Sequence, residues 1–330
     1  MLKEKFAQLA SYLPDLFLDS TSAPALDITL SEENNLAGKF FNSKTAQNFL
    51  NYYGINFQQD FPYFAHHFGA IDAAGFRIAC HYWKSNNARG TVFILHGYLD
   101  HTGLFRHAIR FALSQGFCVC CFDLPGHGLS SGKRAAIESF DTYADVLEVL
   151  QQKVQRVLPR PWHGLAQSTG CSVLLNHFWR YEPETYDDIA LLAPLVRSRG
   201  WRWSKFLFPF LRRLRSAMPR HFNKNSHDPD FLRFLSKEDP LQAFEIPMEW
   251  IGAMGEWNAN FDQWPVRQKK LLLVQGDEDS TVDWPYNLKA IQEKLPETEV
   301  LVMPGLRHQV VNESEEYRRP VFAALEKFWR

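Results

Sequence analysis

From about residue 61 onward, short apolar runs alternate with stretches of helical spacing, and no other feature restricts the fold as much. "TVFILH", "FCVCCFD", "IALLAP", "KLLLVQG" and "EVLVMPG" read as buried strands. Among them, "GLFRHAIRFALSQG" has helical spacing and stops at Gly116, where a C-cap belongs. A second helix begins near Ser139, with Tyr143, Val146, Leu147, Leu150 and Val154 on one face, and a further one lies near "YNLKAIQEKL". Apolar strands separated by helices of about 10 to 15 residues predict a mostly parallel sheet with helices on both faces. Ahead of them, "PYFAHHFGA" and "FRIACHYW" alternate around a "DAAG" turn, which predicts an antiparallel opening hairpin.

The alternation breaks between about residues 195 and 265, where Trp, Phe and Arg accumulate and helical patterns no longer trade with strands. The expected organisation is therefore an N-terminal extension (1–60, partly helical), a first part of an α/β core (61–194), a helical cap (195–265) and a second part of the core (266–330). Inside the cap, "PFLRRLRSAM" reads as a helix with Pro209 at its first position. Its apolar face would carry Phe210, Leu211, Leu214 and Met218, with Arg212, Arg213 and Arg215 turned away.

Charge excludes one class of partner. Lys and Arg number 36 against 37 Asp and Glu, a net charge of −1, so no overall basic field exists to hold nucleic acid. The N-terminus has no continuous apolar core of a secretory signal, and no run of about 18 apolar residues predicts a membrane span. The 5 cysteines (Cys80, Cys118, Cys120, Cys121 and Cys171) lie in apolar stretches without paired C-x-x-C spacing. Buried thiols in a cytoplasmic protein are expected, with no zinc site and no disulfide framework.

"PWHGLAQSTGCSVLL" reads as a strand running straight into a helix, with Ser168 at the corner. A serine in so sharp a turn tolerates only small residues at −2 and +2, here Ala166 and Gly170. Acyl transfer by serine also needs a base, an acid that orients it, and donors for the developing oxyanion. Asp279 in "VQGDEDSTVD" and His308 in "MPGLRHQVV" each follow a predicted strand, where such groups belong in an open α/β sheet. Alone, a loop carboxylate is usually a turn-former and a loop histidine a surface residue. Together they complete the chain order Ser…Asp…His of an elbow hydrolase. "LHGYLDH" supplies the fourth part: Gly97 lets the main chain approach, so that the N–H groups of Tyr98 and Thr169 would be the oxyanion donors.

With these residues in place, the chain resembles the α/β-hydrolase superfamily, in its monoacylglycerol lipase and lysophospholipase-like (serine aminopeptidase S33-type) branch. "FILHGYLDH", "FDLPGHGLSSG", "AQSTG", "LLLVQGDED" and "MPGLRHQVV" stand in that branch's order over about residues 90 to 310. The resemblance implies an α/β-hydrolase fold with a mostly parallel eight-stranded sheet and an inserted cap. It also implies Ser168 as nucleophile, His308 as base and then acid, Asp279 as orienter, and no metal or cofactor. His127 falls in a loop that shapes the floor of the family's site, so it is expected to be structural. Two departures stand out: Ala166 where the family usually has glycine, and "AQST" where "GHSM" is common. Gln167 is expected to leave the mechanism untouched, its side chain pointing away from the acyl site.

Between Ile189 and His227 there is no Asp or Glu, while 9 Lys or Arg fall between Arg197 and Lys224. That asymmetry predicts a small apolar ester as substrate, a lysophospholipid or monoacylglycerol, and peripheral contact of the basic cap with a membrane surface. One alternative is a peptidase of the S33 type, which needs acids near the site to hold a substrate ammonium. The other is a hydrolase-fold protein that only binds, which would be expected to have lost at least one of the three residues.

Overall fold

The computed structural model describes residues 2–16, 39–181 and 185–330. Residues 1 and 17–38 of the expected N-terminal extension lie outside the described residues. In chain order the strands are β1 (Ala65–Ala73), β2 (Phe76–Lys84), β3 (Thr91–Leu95), β4 (Cys118–Phe122), β5 (Trp162–Gln167), β6 (Asp188–Leu192), β7 (Ala217–Pro219), β8 (Glu245–Pro247), β9 (Leu271–Gly276) and β10 (Thr298–Met303). Eight of them form one sheet in the order β1-β2-β4-β3-β5-β6-β9-β10. The opening hairpin is antiparallel, Ala73 facing Phe76 across the turn, and β2 meets β4 antiparallel. From β4 to β10 every pairing is parallel.

β3, β4 and β5 are buried along their whole length, as strands sandwiched between two helical layers must be. One layer holds the helices Phe140–Val154, Thr169–Arg180 and Trp284–Lys294. The other holds Arg106–Ser114 and Glu315–Phe328, and the N-terminal helices Leu2–Ser11 and Lys44–Tyr53 extend it. The stop expected at Gly116 and the start expected near Ser139 are those of the structure. Gly116 adopts a left-handed φ of +81° just beyond Ser114, and the Ser139 hydroxyl accepts the Asp141 N–H at 3.1 Å. Such an N-cap contributes about 1 kcal/mol.

Strand order decides where the site sits. The chain leaves β3 to form β4 on one side and later returns to lay β5 on the other. The loops after β3 and β5 therefore diverge, opening a crevice at the carboxyl ends of the strands.

Between β6 and β9 the chain builds the helix Trp201–Leu214, the antiparallel pair β7 and β8 with a short helix Pro229–Arg233 between them, and the helix Met248–Gln263. Two expectations fail here. The first helix starts at Trp201, not Pro209, after Gly200 in the left-handed conformation, and Pro209 sits within it. Proline suits a first position, but it survives in an exposed interior when one lost N–H bond is outweighed by packing elsewhere. Met218 then falls on β7, not on the helix, and Phe210 and Leu214 are 59% and 79% exposed. Leu211 and Met218 do line a cavity.

Candidate active site

Ser168 follows β5, at the N-cap of the helix Thr169–Arg180, with φ +54° and ψ −117°, a conformation that costs a residue with a Cβ of order 1–3 kcal/mol. The neighbours hold it there. Its N–H donates to the Leu192 carbonyl at 2.9 Å, and its own carbonyl accepts from Cys171 and Leu195. A Cβ on Gly170 would lie 2.5 Å from the Leu95 carbonyl oxygen and 2.7 Å from that of His96, so +2 must be glycine. Ala166, buried at −2, fits its methyl without displacing the turn.

The loops after β9 and β10 bring the other two residues to the serine. His308 Nε2 lies 3.0 Å from Ser168 Oγ, and His308 Nδ1 lies 2.8 Å from Asp279 Oδ2. With Nδ1 protonated and donating to Asp279, Nε2 is free to accept the serine proton. Asp279 is fixed in turn: Oδ1 accepts the N–H groups of Thr281 (2.8 Å) and Val282 (3.2 Å), and Oδ2 accepts Gln275 Nε2 at 3.1 Å. Burial works against its charge, but His308 and these donors prevail and hold the carboxyl below the usual aspartate value. Burial likewise opposes a charge on His308, yet the adjacent Asp279 and their hydrogen bond outweigh it and raise its pKa above 6.5.

Gly97, Tyr98 and Thr169 line the cavity beside Ser168. A Cβ on Gly97 would approach Ser168 Cβ to 3.2 Å, so the absence of a side chain lets the loop lie close. Tyr98 pins that loop: its hydroxyl donates to the Ala135 carbonyl at 2.7 Å, and its ring stacks on Trp250 at 3.6 Å. Beneath it, Asp123 accepts Thr102 N–H and Leu129 N–H, both at 2.8 Å, tying the loop after β3 to the "DLPGHG" loop. Gly128 has no alternative there, since a Cβ would fall 2.0 Å from Asp123 Oδ2. His127 is buried with Nδ1 2.9 Å from the Pro125 carbonyl, and burial lowers its pKa to about 3. It is a neutral ring bonded within its own turn.

Several residues of the site carried no sign in the sequence. Gln167 lies outside the cavity, but its Nε2 donates to Gln309 Oε1 at 3.0 Å and its Oε1 accepts Val311 N–H at 3.0 Å. As expected, it points away from the acyl site, and it also braces the loop that carries His308. Gln309 reaches Asp100 at 3.3 Å. Asp100 faces the cavity, and burial pushes its pKa up to about 6 against the opposing effects of Arg220 and Gln309. The cysteines are buried thiols, and among the described residues no group of three or more His, Cys, Asp or Glu is placed to hold a metal ion.

Above Ser168 lies a cavity of about 760 Å³. Leu207, Leu211, Met254 and Trp250 give it apolar walls, and Arg220, Lys224, Arg233 and Lys237 stand on its polar side. Asp100 is the sole carboxylate lining it among the described residues.

Residues 86–315 match the family described as serine aminopeptidase, S33. This chain belongs to that family. It is 25% identical over 261 residues to a monoacylglycerol lipase of Mycolicibacterium smegmatis, covering 76% of this chain and 92% of that one. It is 24% identical over 260 residues to phospholipase YtpA of Bacillus subtilis, covering 74% and 97%. Among solved structures, a soluble variant of monoglyceride lipase from Saccharomyces cerevisiae superposes with a TM-score of 0.68 at 16% identity, covering 78% of this chain and 92% of that one. The likeness establishes the α/β-hydrolase fold expected from the motifs.

Proposed function

We propose that this S33-family chain is a serine carboxylic ester hydrolase acting on single-chain acyl esters of the monoacylglycerol or lysophospholipid kind. The observation that carries the reading is the relay Ser168–His308–Asp279, at 3.0 and 2.8 Å, at the base of an apolar cavity. Ser168 Oγ attacks the ester carbonyl carbon while His308 Nε2 takes its proton. The N–H groups of Tyr98 and Thr169 receive the oxyanion. As the tetrahedral intermediate collapses, His308 returns the proton to the leaving alcohol, and an acyl-enzyme remains. Water then attacks that acyl group by the same route and releases the acid. Asp279 holds the productive tautomer and stabilises the imidazolium.

The relatives named as lipase and phospholipase support the substrate class, and the apolar walls suit an acyl chain. A peptide N-terminus suits the cavity poorly, because an ammonium would face Arg220, Lys224 and Lys237 with Asp100 as the sole lining carboxylate among the described residues, and Arg233 is already paired with Asp230 and Glu238. A role in binding alone leaves the assembled relay without a purpose.

In this proposal residues 195–265 act as a lid over the serine, and their outer face meets lipid. Trp203, Phe206, Phe210 and Leu214 are exposed on the helix Trp201–Leu214, with Arg212 and Arg213 in its last turn. No helix among the described residues is long and apolar enough to cross a membrane, so this contact is peripheral.

The decisive experiment is labelling with a serine-directed fluorophosphonate alongside hydrolysis of p-nitrophenyl esters of graded chain length. Label on Ser168, and its loss together with turnover in Ser168→Ala, is the expected result. Undiminished turnover in the folded variant would overturn the reading.

A further inference from the structure

Arg220 stands on the wall of the reaction cavity, and no carboxylate among the described residues forms an ion pair with it. Its place is built, not incidental. The residue follows β7, and its N–H donates to the Phe244 carbonyl at 2.9 Å. Its guanidinium carbon lies 4.3 Å from the Phe222 ring centroid, and Nη1 donates to the Ala243 carbonyl at 3.1 Å and to Gln242 Oε1.

Gln242 cannot turn its amide around. The residue is 4% exposed, and its Nε2 donates at 2.6 Å to Asp239 Oδ2, an atom that can only accept. Oε1 is therefore left for Arg220. Asp239 is itself fixed by Tyr53 Oη at 2.7 Å, His101 Nε2 at 3.0 Å and Leu241 N–H at 3.0 Å. A chain of hydrogen bonds thus orients the guanidinium through Nη1 and leaves Nη2 and Nε without a hydrogen-bond partner among the described residues.

The surroundings share its sign. Lys224 and Lys237 line the same cavity, where Asp100 is the one lining carboxylate among the described residues and makes no ion pair with Arg220 within 4 Å. A planar, permanently charged fork on an apolar wall matches a phosphate, which accepts two parallel N–H bonds.

We propose that Arg220 binds a phosphate carried on the alcohol half of the substrate, so that the preferred ester is a single-chain glycerophospholipid. The inference rests on the ester-hydrolase reading above and names its substrate class more narrowly. The acyl chain lies along Leu207, Leu211 and Met254, and the phosphate is held by the oriented fork.

The test uses 1-octanoyl-lysophosphatidylglycerol and 1-octanoylglycerol, both below their micellar concentrations, with the wild-type chain, Arg220→Gln and Arg220→Lys. Wild type is expected to favour the phosphate ester. The ratio of kcat/KM for the phosphate ester over the neutral one should fall on the order of 10- to 100-fold in Arg220→Gln, mainly through KM, and recover in part in Arg220→Lys. A wild-type ratio below one, or a ratio unchanged by Arg220→Gln, overturns the inference while leaving the ester-hydrolase reading standing. Cleavage of neither ester by wild type overturns both. Should Arg220→Gln fail to fold, the salt response of wild type decides: KM rising with sodium chloride for the phosphate ester alone supports the inference, and an equal response from both esters overturns it.

Discussion

Tyr53, the last residue of the helix Lys44–Tyr53, donates its hydroxyl to Asp239 at 2.7 Å, joining the N-terminal helices to the segment that precedes β8. The same carboxylate accepts from His101 in the loop after β3, and the Tyr53 ring meets that of His101 edge-on at 4.8 Å. Beside it, Tyr52 donates to the Glu238 carbonyl at 2.7 Å. The opening residues thus clamp the segment before β8 against the loop that carries Gly97 and Tyr98.

Removing the hydroxyl alone tests that clamp. Tyr53→Phe leaves a buried carboxylate one donor short, a loss of about 1–3 kcal/mol. Asp239 is held down to about pKa 2, with burial opposing and His101 and the side-chain donors prevailing. Because its folded pKa lies below its ordinary 3.8, its stabilisation is present above pH 3.8 and disappears as pH falls toward 2. Urea unfolding at neutral pH should show the loss in Tyr53→Phe, with a smaller gap between variant and wild type at pH 3. Identical midpoints at neutral pH would count against the clamp.

The rate profile should report His308. The base must be neutral to accept the Ser168 proton, and its pKa lies above 6.5 because Asp279 outweighs burial. kcat/KM should therefore fall as pH drops through a value above 6.5. Asp279→Asn removes the charge that raises this pKa and leaves the burial that lowers it, so the acid limb should move down. It also spoils the tautomer, which costs on the order of 10⁴-fold in kcat. An acid limb that stays in place in Asp279→Asn would show that another group controls it.

Gln167 offers a subtler test, because it touches neither the cavity nor the relay itself. Gln167→Ala removes both the donor to Gln309 and the acceptor for Val311 N–H, freeing the loop on which His308 rides. Small misplacements of a catalytic group are costly, so kcat should fall about 10- to 100-fold with little change in KM. Gln167→Glu keeps the acceptor and loses the donor, and it should lie between. Full activity in Gln167→Ala would reduce the contact to mere packing.

What could be read from the residues follows from how local each signal is. β3 and β4 are legible because strands buried on both faces must be apolar throughout. Ser168, Asp279 and His308 are legible as candidates because each follows a strand, where sheet topology gathers loops, although β10, ahead of His308, is a partly exposed edge strand. The bond from Tyr53 to Asp239 spans 186 residues and that from His101 to Asp239 spans 138, and no spacing rule reaches so far. Glutamines such as 167, 275 and 309 carry no charge pattern or periodicity, so their bracing of the relay emerges only in space. Pro209 misled for a different reason: first-position preference is a tendency, and Gly200 had already set the helix start.

The outer face of the helix Trp201–Leu214 gives the last prediction. Phe206 is 65% exposed and Phe210 59%, their rings 6.3 Å apart, a large apolar surface to leave in water. Burying each ring in lipid would contribute about 1.5–3 kcal/mol, and each nearby arginine about 1 kcal/mol at an anionic surface. Phe206→Ser with Phe210→Ser should weaken sedimentation with phosphatidylglycerol vesicles at least 10-fold by that arithmetic. Arg212→Gln with Arg213→Gln should flatten the salt dependence and leave residual binding to neutral vesicles. Since neither phenylalanine lines the cavity, hydrolysis of a soluble short-chain ester should stay within about twofold of wild type, whereas cleavage of vesicle-borne substrate falls with binding. Vesicle binding that survives the double phenylalanine variant would mean that this face is not the one that meets lipid.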